Sequence, residues 1–288
     1  MADALLTNQA ASRRERNTAR LLQIAVSCVF MARGWLTFRW DSPIRGLFWK
    51  EKWLTPVVEF FGTTWEDYAA QSDGAISMGL KVVGIVLMLS AVLPWMLTVR
   101  WRKVAAAAMV PAIVLLVIDA FAHAAETDFE LGMILEHGLQ WGAPLVLLTY
   151  LYRGGLKSKW RVLVGVLAGA TFVGHGLYAM GFHAVPWLYQ SMVEEMMGFG
   201  SAGVLLFLKI VGWLDFAAVA ALAVPKFRRL GLAYMVAWAL ATALARPLSH
   251  DALDPWIAEF LVRIPHWLLP LAVLFGVKKA RPSEPTTV

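Results

Sequence analysis

The sequence is short of cysteine and of charged residues. Its 288 residues include one cysteine, Cys28, and only 16% are charged. A single cysteine excludes a disulfide framework, and within this chain it also excludes a CxxC thiol relay or a cysteine zinc site. Soluble domains carry about 25% charged residues. The low charge content therefore excludes an ordinary soluble domain and a disordered protein.

Apolar and aromatic residues are abundant instead. Hydrophobic residues make up 59% of the chain, and tryptophan occurs 14 times. Lys and Arg outnumber Asp and Glu by 26 to 20, but the basic residues lie in short runs between long apolar segments. This pattern is typical of membrane topology and not of a phosphate-binding face. We therefore expect membrane lipid as a partner and no nucleic acid.

Eight apolar segments are long enough to cross a bilayer, which needs about 20 helical residues. They cover residues 19–38, 76–98, 104–124, 131–152, 161–182, 201–224, 229–247 and 256–277. The first has no small-residue cleavage site, so it is not predicted to be a signal peptide. The predicted fold is an all-α polytopic membrane protein. No span shows a strongly broken helix at its midplane, and Pro111 and Pro144 are the only central candidates.

The basic residues predict the orientation of the spans. Five basic groups lie at alternate span ends, beginning with Arg13–Arg20 and ending with Lys278–Arg281. By the positive-inside rule this side is the cytoplasm. Both tails, 1–18 and 278–288, are then cytoplasmic, and the protein is expected in the inner (plasma) membrane as a multi-pass protein.

The two halves of the chain resemble each other in five short matches that occur in the same order. The matched starting residues are Phe30 and Phe172, Glu59 and Glu195, Lys81 and Lys209, Arg102 and Arg228, and Trp141 and Trp267. Such a series indicates internal repetition. The predicted units are 19–152 and 153–277. Each has four spans, so the repeats are predicted to be parallel.

Two outer loops are rich in aromatic residues. Loop 39–75 contains four tryptophans, and loop 183–200 contains Pro186, Trp187 and Tyr189. The first interpretation is an aromatic belt that anchors the protein at the membrane interface. The second is a pair of lids over a site.

All six histidines fall in the predicted outer half of the spans or just outside it. They are His123, His137, His175, His183, His250 and His266. Other polar residues share this layer, namely Arg33, Asp119, Glu136, Gln140, Arg246, Glu259 and Arg263. Ionisable groups at membrane depth are costly and mark functional candidates.

Roles can be assigned within this layer as hypotheses. The catalytic candidates are His175, His137 and Glu136. The cofactor-binding candidates are Arg33, Lys209, Arg263, His266, Gln140 and Gly176. The metal-binding candidates are His123, His137 and His175, since neutral histidines with a carboxylate suit a metal ion. A structural polar network, and a pocket for a quinone or a lipid headgroup, are the alternatives to a metal site.

Lys209 has apolar neighbours on both sides in its span. A lysine there must reach the interface, pair with a carboxylate or lose its proton. We expect a buried pair, with Glu136 or Asp119 as the partner.

Residues 172–178, Phe-Val-Gly-His-Gly-Leu-Tyr, resemble the first-span signature of the DoxX-like family. Arg161 before this span, and Glu194 or Glu195 after a proline-containing loop, fit the same frame. Residues 20–34 resemble a diverged copy with Arg33 in place of the histidine. The basic residue that often follows His-Gly in that family is missing. A more distant similarity is to the transmembrane part of vitamin K-dependent carboxylases.

The resemblance implies a four-span inner-membrane unit, present here twice. It implies a link, in some members, to thiosulfate:quinone oxidoreduction or to membrane oxidoreductase complexes. The resemblance marks His175, Gly176 and Glu195 as candidate functional positions, but it does not imply a particular reaction.

Three functions compete at this point. The first is a membrane oxidoreductase, or its quinone-interacting subunit, with a partner subunit that brings the redox centre. The second is a non-enzymatic transporter or a scaffold or assembly protein. The third is a lipid-modifying enzyme at the outer face. Whether the chain is an enzyme stays open, and its cofactor is predicted to be a quinone or a metal ion.

Overall fold

The computed structural model describes residues 2–98, 100–153, 159–250 and 253–276, and within these ranges the only regular structure is helical. The predicted tail 278–288 and the start of the second unit at 154–158 lie outside the described residues. The helices are α1 (Ala2–Arg39), α2 (Pro43–Leu47), α3 (Glu51–Phe60), α4 (Trp65–Gln71), α5 (Asp73–Ser90), α6 (Leu93–Met96), α7 (Arg102–Glu126), α8 (Leu131–Glu136), α9 (Gly138–Arg153), α10 (Lys159–Met180), α11 (Trp187–Met197), α12 (Ser201–Ala223), α13 (Arg228–Leu248), α14 (Leu253–Val262) and α15 (Ile264–Gly276).

Among the described residues, seven helical segments are long and apolar enough to cross a membrane. They are Arg13–Arg39, Asp73–Met96, Arg102–Glu126, Lys159–Met180, Ser201–Ala223, Arg228–Leu248 and Leu253–Gly276. Large apolar side chains also face outward along the bundle, including Leu89, Val114, Leu206 and Ile210. Soluble monomers rarely expose such extended apolar surfaces. The chain is therefore a multi-pass α-helical membrane protein.

The predicted span 131–152 is built from two helices, α8 and α9, with a break at His137. The backbone N–H of Leu139 donates to Oγ1 of Thr171 on α10 at 3.1 Å instead of continuing the helix. The span at 256–277 is likewise divided into α14 and α15 at Arg263. Pro265 follows this break and has no N–H to donate. Hydropathy does not reveal either break, because each interrupts its apolar segment at a single residue.

Three long-range hydrogen bonds bring the basic span ends together. Tyr150 donates to the carbonyl of Glu15 at 2.9 Å, and Tyr152 donates to the carbonyl of Arg102 at 3.0 Å. Arg161 donates to the carbonyl of Gly276 at 2.9 Å. The basic groups of α1, α7 and α10 thus lie at one end of the bundle, which we call the basic end.

Two glycine crossings hold the helices close. A Cβ on Gly34 of α1 would lie 2.6 Å from the carbonyl oxygen of Gly84 on α5. A Cβ on Gly212 of α12 would lie 3.1 Å from the carbonyl oxygen of Gly176 on α10. Small residues let membrane helices approach in this way. The four glycines occupy matching positions in the two predicted units, so the α1–α5 and α10–α12 crossings correspond.

A third close approach positions α8. A Cβ on Gly174 of α10 would lie 2.6 Å from the carbonyl oxygen of Gly132 and 2.7 Å from the backbone nitrogen of Glu136. Both contacts are with backbone atoms, which cannot move away by a change of side-chain rotamer. Gly174 therefore allows α8 to rest directly on α10 and brings Glu136 to that helix.

We expect Gly174→Ala to lower the free energy of unfolding by about 1–3 kcal/mol, since overpacking forces the backbone to shift. Gly165→Ala in the same helix is the matched control, because a Cβ there meets nothing within 4 Å. It should be neutral or slightly stabilising through helix propensity. Thermal unfolding of both variants in detergent measures the difference. Equal midpoints would contradict the packing described here.

Candidate functional site

A buried ion-pair cluster lies around Arg33 at the end opposite the basic end. The Arg33 side chain donates to Oε1 of Gln140 at 2.6 Å and 3.2 Å, and its Nε lies 3.3 Å from the carboxylate of Asp119. Nη1 of Arg33 lies 3.1 Å from Nε2 of His123. Arg33, Asp119 and Gln140 are all buried. We call these residues, with His137, the Arg33 cluster.

The contact between Arg33 and His123 fixes a protonation state. A guanidinium has only donors, so Nε2 of His123 must accept. His123 is then a neutral ring with its proton on Nδ1, which lies 3.9 Å from the Glu126 carboxylate. The ring of His137 stacks on that of His123 with centroids 4.4 Å apart. The two stacked rings thus lie beside the Arg33–Asp119 ion pair and form one polar network with it.

The metal hypothesis has no support from this geometry. Among the described residues, no group of three or more His, Cys, Asp and Glu side chains is arranged to hold a metal ion. The Nδ1 of His137 contacts the carbonyl of Met133 at 3.1 Å. His175 instead contacts Tyr189 and Glu136. The three metal-binding candidates are therefore divided between two clusters.

A second cluster centres on Glu136, which lies directly before the α8–α9 break. Nδ1 of His175 on α10 lies 2.7 Å from the hydroxyl of Tyr189 on α11. That hydroxyl donates to Oε1 of Glu136 at 3.4 Å. One proton arrangement satisfies both contacts: His175 donates to Tyr189, and Tyr189 donates to Glu136. Burial, aided by the Glu136 charge, raises the pKa of the Tyr189 phenol well above its usual value. The phenol therefore stays protonated at neutral pH.

Two arginines complete the polar side of this second cluster. Arg263 forms an ion pair and hydrogen bond with Glu259 one turn earlier on the same span. Arg246 of α13 is 1% exposed. Its Nη1 donates to the carbonyl of Thr242 at 2.7 Å, and its Nε lies 4.0 Å from the Glu259 carboxylate. The imidazole of His266 lies 5.9 Å from that of His175, measured between ring centroids.

These groups form the polar end of a cavity of about 200 Å³. The rest of the cavity is mostly apolar and lies between α10, α11, α12 and α13. The apolar lining includes Phe172, Met192, Met196, Phe207, Val211 and Trp238. Met197 and Ala241 line the cavity and are themselves exposed. The cavity, which we call the Arg246 pocket, therefore opens on the apolar outer surface of the bundle.

Three nitrogen atoms at this polar end are buried without a hydrogen-bond partner in the described part of the chain. They are Nε of Arg246, Nε of Arg263 and Nε2 of His266. Leaving a buried donor unsatisfied costs about 1–3 kcal/mol. The two arginine Nε atoms always carry a proton, so on residues that line one pocket they indicate that an acceptor group belongs there.

One further carboxyl lines the pocket. Asp215 of α12 is 1% exposed and accepts a hydrogen bond from the Tyr234 hydroxyl at 2.9 Å. It does not contact the arginines through any hydrogen bond or ion pair found in the described residues. The pocket thus has a donor-rich polar end and a separate Asp215–Tyr234 pair in its wall.

The candidate residues from the sequence are divided by the fold. His175, Arg263 and His266 line the Arg246 pocket, and Glu136 contacts it through Tyr189. Arg33, His123, His137 and Gln140 form the neighbouring Arg33 cluster. Gly176 packs on Phe216, where a Cβ would lie 2.7 Å from its ring. The glycine therefore serves the helix crossing and does not line the pocket.

The expectation of a buried pair for Lys209 is wrong. The Lys209 side chain is exposed on the outer face of α12, whereas its neighbours Leu208 and Val211 line the pocket. Asp119 pairs with Arg33, and Glu136 lies 3.7 Å from His175, so neither carboxylate is left for Lys209. The span is apolar on every side, and its sequence therefore does not indicate which face turns inward.

Tyr189 lines the pocket, but it is not among the site residues predicted from the sequence. As part of an aromatic loop, it fits the membrane belt. In the structure, α11 covers the pocket and supplies Tyr189, Met192 and Met196 to its lining. The regular spacing of apolar residues in 187–197 is the only signal that a helix returns to the bundle here. Loop 39–75 supplies no residue to this lining.

The comparisons with known proteins do not add to this geometry. No family model, no curated protein and no solved structure matches the chain.

Proposed function

We propose that the chain has eight spans in two parallel four-helix units, with both termini in the cytoplasm of a cell whose inner membrane holds the protein. The consecutive helices α8 and α9 would supply the eighth span. The breaks at His137 and Arg263 fall at matching positions of the two units, as do the glycine crossings. The gathering of basic groups at one end supports the orientation.

We propose further that the Arg246 pocket binds a quinone, and that the chain is the quinone-interacting subunit of a membrane oxidoreductase. The observation that carries this proposal is the pair of buried Nε–H donors of Arg246 and Arg263, which have no hydrogen-bond partner among the described residues, together with the unpartnered Nε2 of His266 at the end of an apolar cavity. A quinone has carbonyl acceptors at its head and an apolar tail. Its carbonyls would satisfy these donors, and its tail would follow the apolar lining to the exposed rim.

The charges around the pocket favour a neutral ligand. In the polar layer, three arginines stand against three carboxylates: Arg33, Arg246 and Arg263 against Asp119, Glu136 and Glu259. An anionic ligand would bring excess negative charge into a low-dielectric site, which is costly. A carbonyl group accepts the same hydrogen bonds without that cost.

The His175–Tyr189–Glu136 contacts would supply protons. Reduction of a quinone to a quinol takes two electrons and two protons. Histidine exchanges protons near neutral pH, and Tyr189 connects it to a carboxylate. The electrons would come from a partner subunit with its own electron carrier, since the chain has a single cysteine and no flavin or haem motif. The DoxX-like resemblance points to the same class of complex.

A binding experiment tests the ligand class. The purified protein is titrated with a short-chain quinone, with a fatty acid of equal length and with the corresponding long-chain alcohol. We expect quinone to bind at least about ten-fold more tightly than either control, as two carbonyl hydrogen bonds to charged donors are lost in the alcohol. Tighter binding of the fatty acid would show that the pocket takes an anion and would overturn the quinone assignment.

A further inference from the structure

A second cleft lies at the basic end of the bundle, away from the Arg246 pocket. It has a volume of about 480 Å³ and lies between α1 and the end of α15. Its lining consists of Arg13, Arg14, Asn17, Arg20, Leu21 and Phe275. Three of these six residues are arginines. We call it the arginine cleft.

The helical register of α1 creates this arrangement. Arg13, Asn17 and Arg20 are spaced i, i+4 and i+7, so they lie on one face of the helix. Arg14 and Leu21 lie seven residues apart beside this face. The aromatic ring of Phe275, on α15, is 55% exposed. The cleft thus has a cationic wall and an apolar floor formed by Leu21 and Phe275.

The three arginines are unpaired in the described part of the chain. None of Arg13, Arg14 and Arg20 forms an ion pair or a hydrogen bond there. Arg161, by contrast, lies near the same end and donates to the carbonyl of Gly276. Residues 277–288 carry three basic residues and one acidic residue, so the net charge of their side chains is also positive. The cleft therefore presents three exposed and unpaired cations that an external anion could contact.

We propose that the arginine cleft binds the phosphate-bearing headgroup of an anionic membrane lipid. Guanidinium groups match phosphate in a bidentate geometry. The cleft lies where α1 enters its predicted span, which is the depth of lipid headgroups. The apolar floor of Leu21 and Phe275 would contact the first part of the acyl chains. A free phosphate ion has no apolar part that could contact Leu21 and Phe275. A lipid is for this reason the better occupant of the cleft.

The test compares two triple variants with equal loss of charge. Arg13→Gln/Arg14→Gln/Arg20→Gln removes the cleft cations. Arg100→Gln/Arg102→Gln/Lys103→Gln removes the same number of cations from the same end outside the cleft. Each protein is purified in neutral detergent. Native mass spectrometry and thermal unfolding are then used to titrate phosphatidylglycerol, phosphatidylcholine and inorganic phosphate.

We expect phosphatidylglycerol to bind the unaltered protein and to raise its unfolding temperature, with phosphatidylcholine binding at least about ten-fold more weakly. The cleft variant should lose at least about ten-fold in affinity for phosphatidylglycerol, since each basic residue near an anionic lipid adds to the free energy of binding. The control variant should lose less than about three-fold. Retained quinone binding would show that the cleft variant is folded, because the Arg246 pocket lies at the other end.

Three results would overturn the proposal. The first is equal affinity for phosphatidylcholine, which would show that charge plays no part. The second is an equal loss in both variants, which would show a general charge effect. The third is binding of inorganic phosphate with no gain from the lipid, which would identify the cleft as a site for a free ion.

Discussion

Arg33→Met should lower the free energy of unfolding by about 3–5 kcal/mol, the largest effect expected of any single substitution discussed here. The reason is that the substitution leaves the buried carboxylate of Asp119 without a counter-charge. Asp119 is 4% exposed, and Arg33 is its buried ion-pair partner at 3.3 Å. Removing one partner of a buried pair leaves an uncompensated charge, and such losses are of this size. The substitution also leaves Gln140 and the His123 Nε2 atom without their donor.

Two further variants separate this cause from a simple loss of packing. Adding Asp119→Asn to Arg33→Met removes the stranded charge and should recover at least half of the lost stability. Arg39→Met, in the same helix but on an exposed residue, should change stability by less than about 1 kcal/mol. Unfolding by sodium dodecyl sulfate in mixed micelles measures all three. If Arg39→Met and Arg33→Met behaved alike, the cluster would not be the buried ion pair described.

Arg246→Gln should weaken quinone binding by about 10- to 100-fold. A hydrogen bond from a charged donor contributes about 1.5–3 kcal/mol, which corresponds to that range of affinity. The Nε of Arg246 is buried and has no hydrogen-bond partner among the described residues, so this donor is free for a ligand. Glutamine keeps a polar side chain, but it is shorter than arginine and has neither the charge nor the forked donors.

Lys209→Gln is the matched control for Arg246→Gln. It also removes one cation from a span beside the pocket, but the Lys209 side chain is exposed on the outer face. We expect its quinone affinity to stay within about two-fold of the unaltered protein. The quinone affinity of Arg246→Lys should lie between those of Arg246→Gln and Lys209→Gln. Lysine keeps the positive charge but lacks the forked donors of the guanidinium group. An equal loss from Lys209→Gln would mean that quinone binds on the outside of α12 and not in the pocket.

Much of the polar layer could be predicted from the sequence, because charged groups in apolar segments stand out by composition alone. Arg33, Glu136, His175 and Arg263 are all members of that layer, and all four lie in one of the two clusters. The limit of such prediction is shown by Lys209. It is as conspicuous in the sequence as Arg33, yet it faces outward.

The difference arises from what surrounds a membrane helix. In water, a helix shows its buried face by an apolar stripe. In lipid, the outside is as apolar as the protein interior, so hydropathy does not distinguish the faces. Close contacts between small residues then decide how each helix is rotated. Gly84 and Gly212 turn α5 and α12 toward their partner helices, and Lys81 and Lys209 point away as a result.

The sequence by itself determined the class of protein and singled out most of its buried polar residues. Both depend on the cost of placing polar groups in hydrocarbon, which composition along the chain records directly. Only the tertiary structure decided which polar groups meet. The break at His137 turns Glu136 toward His175 and Tyr189 while His137 faces His123. Adjacent residues thus join different clusters, because α8 packs against Gly174, the backbone N–H of Leu139 in α9 bonds to Thr171, and the helix is interrupted between them.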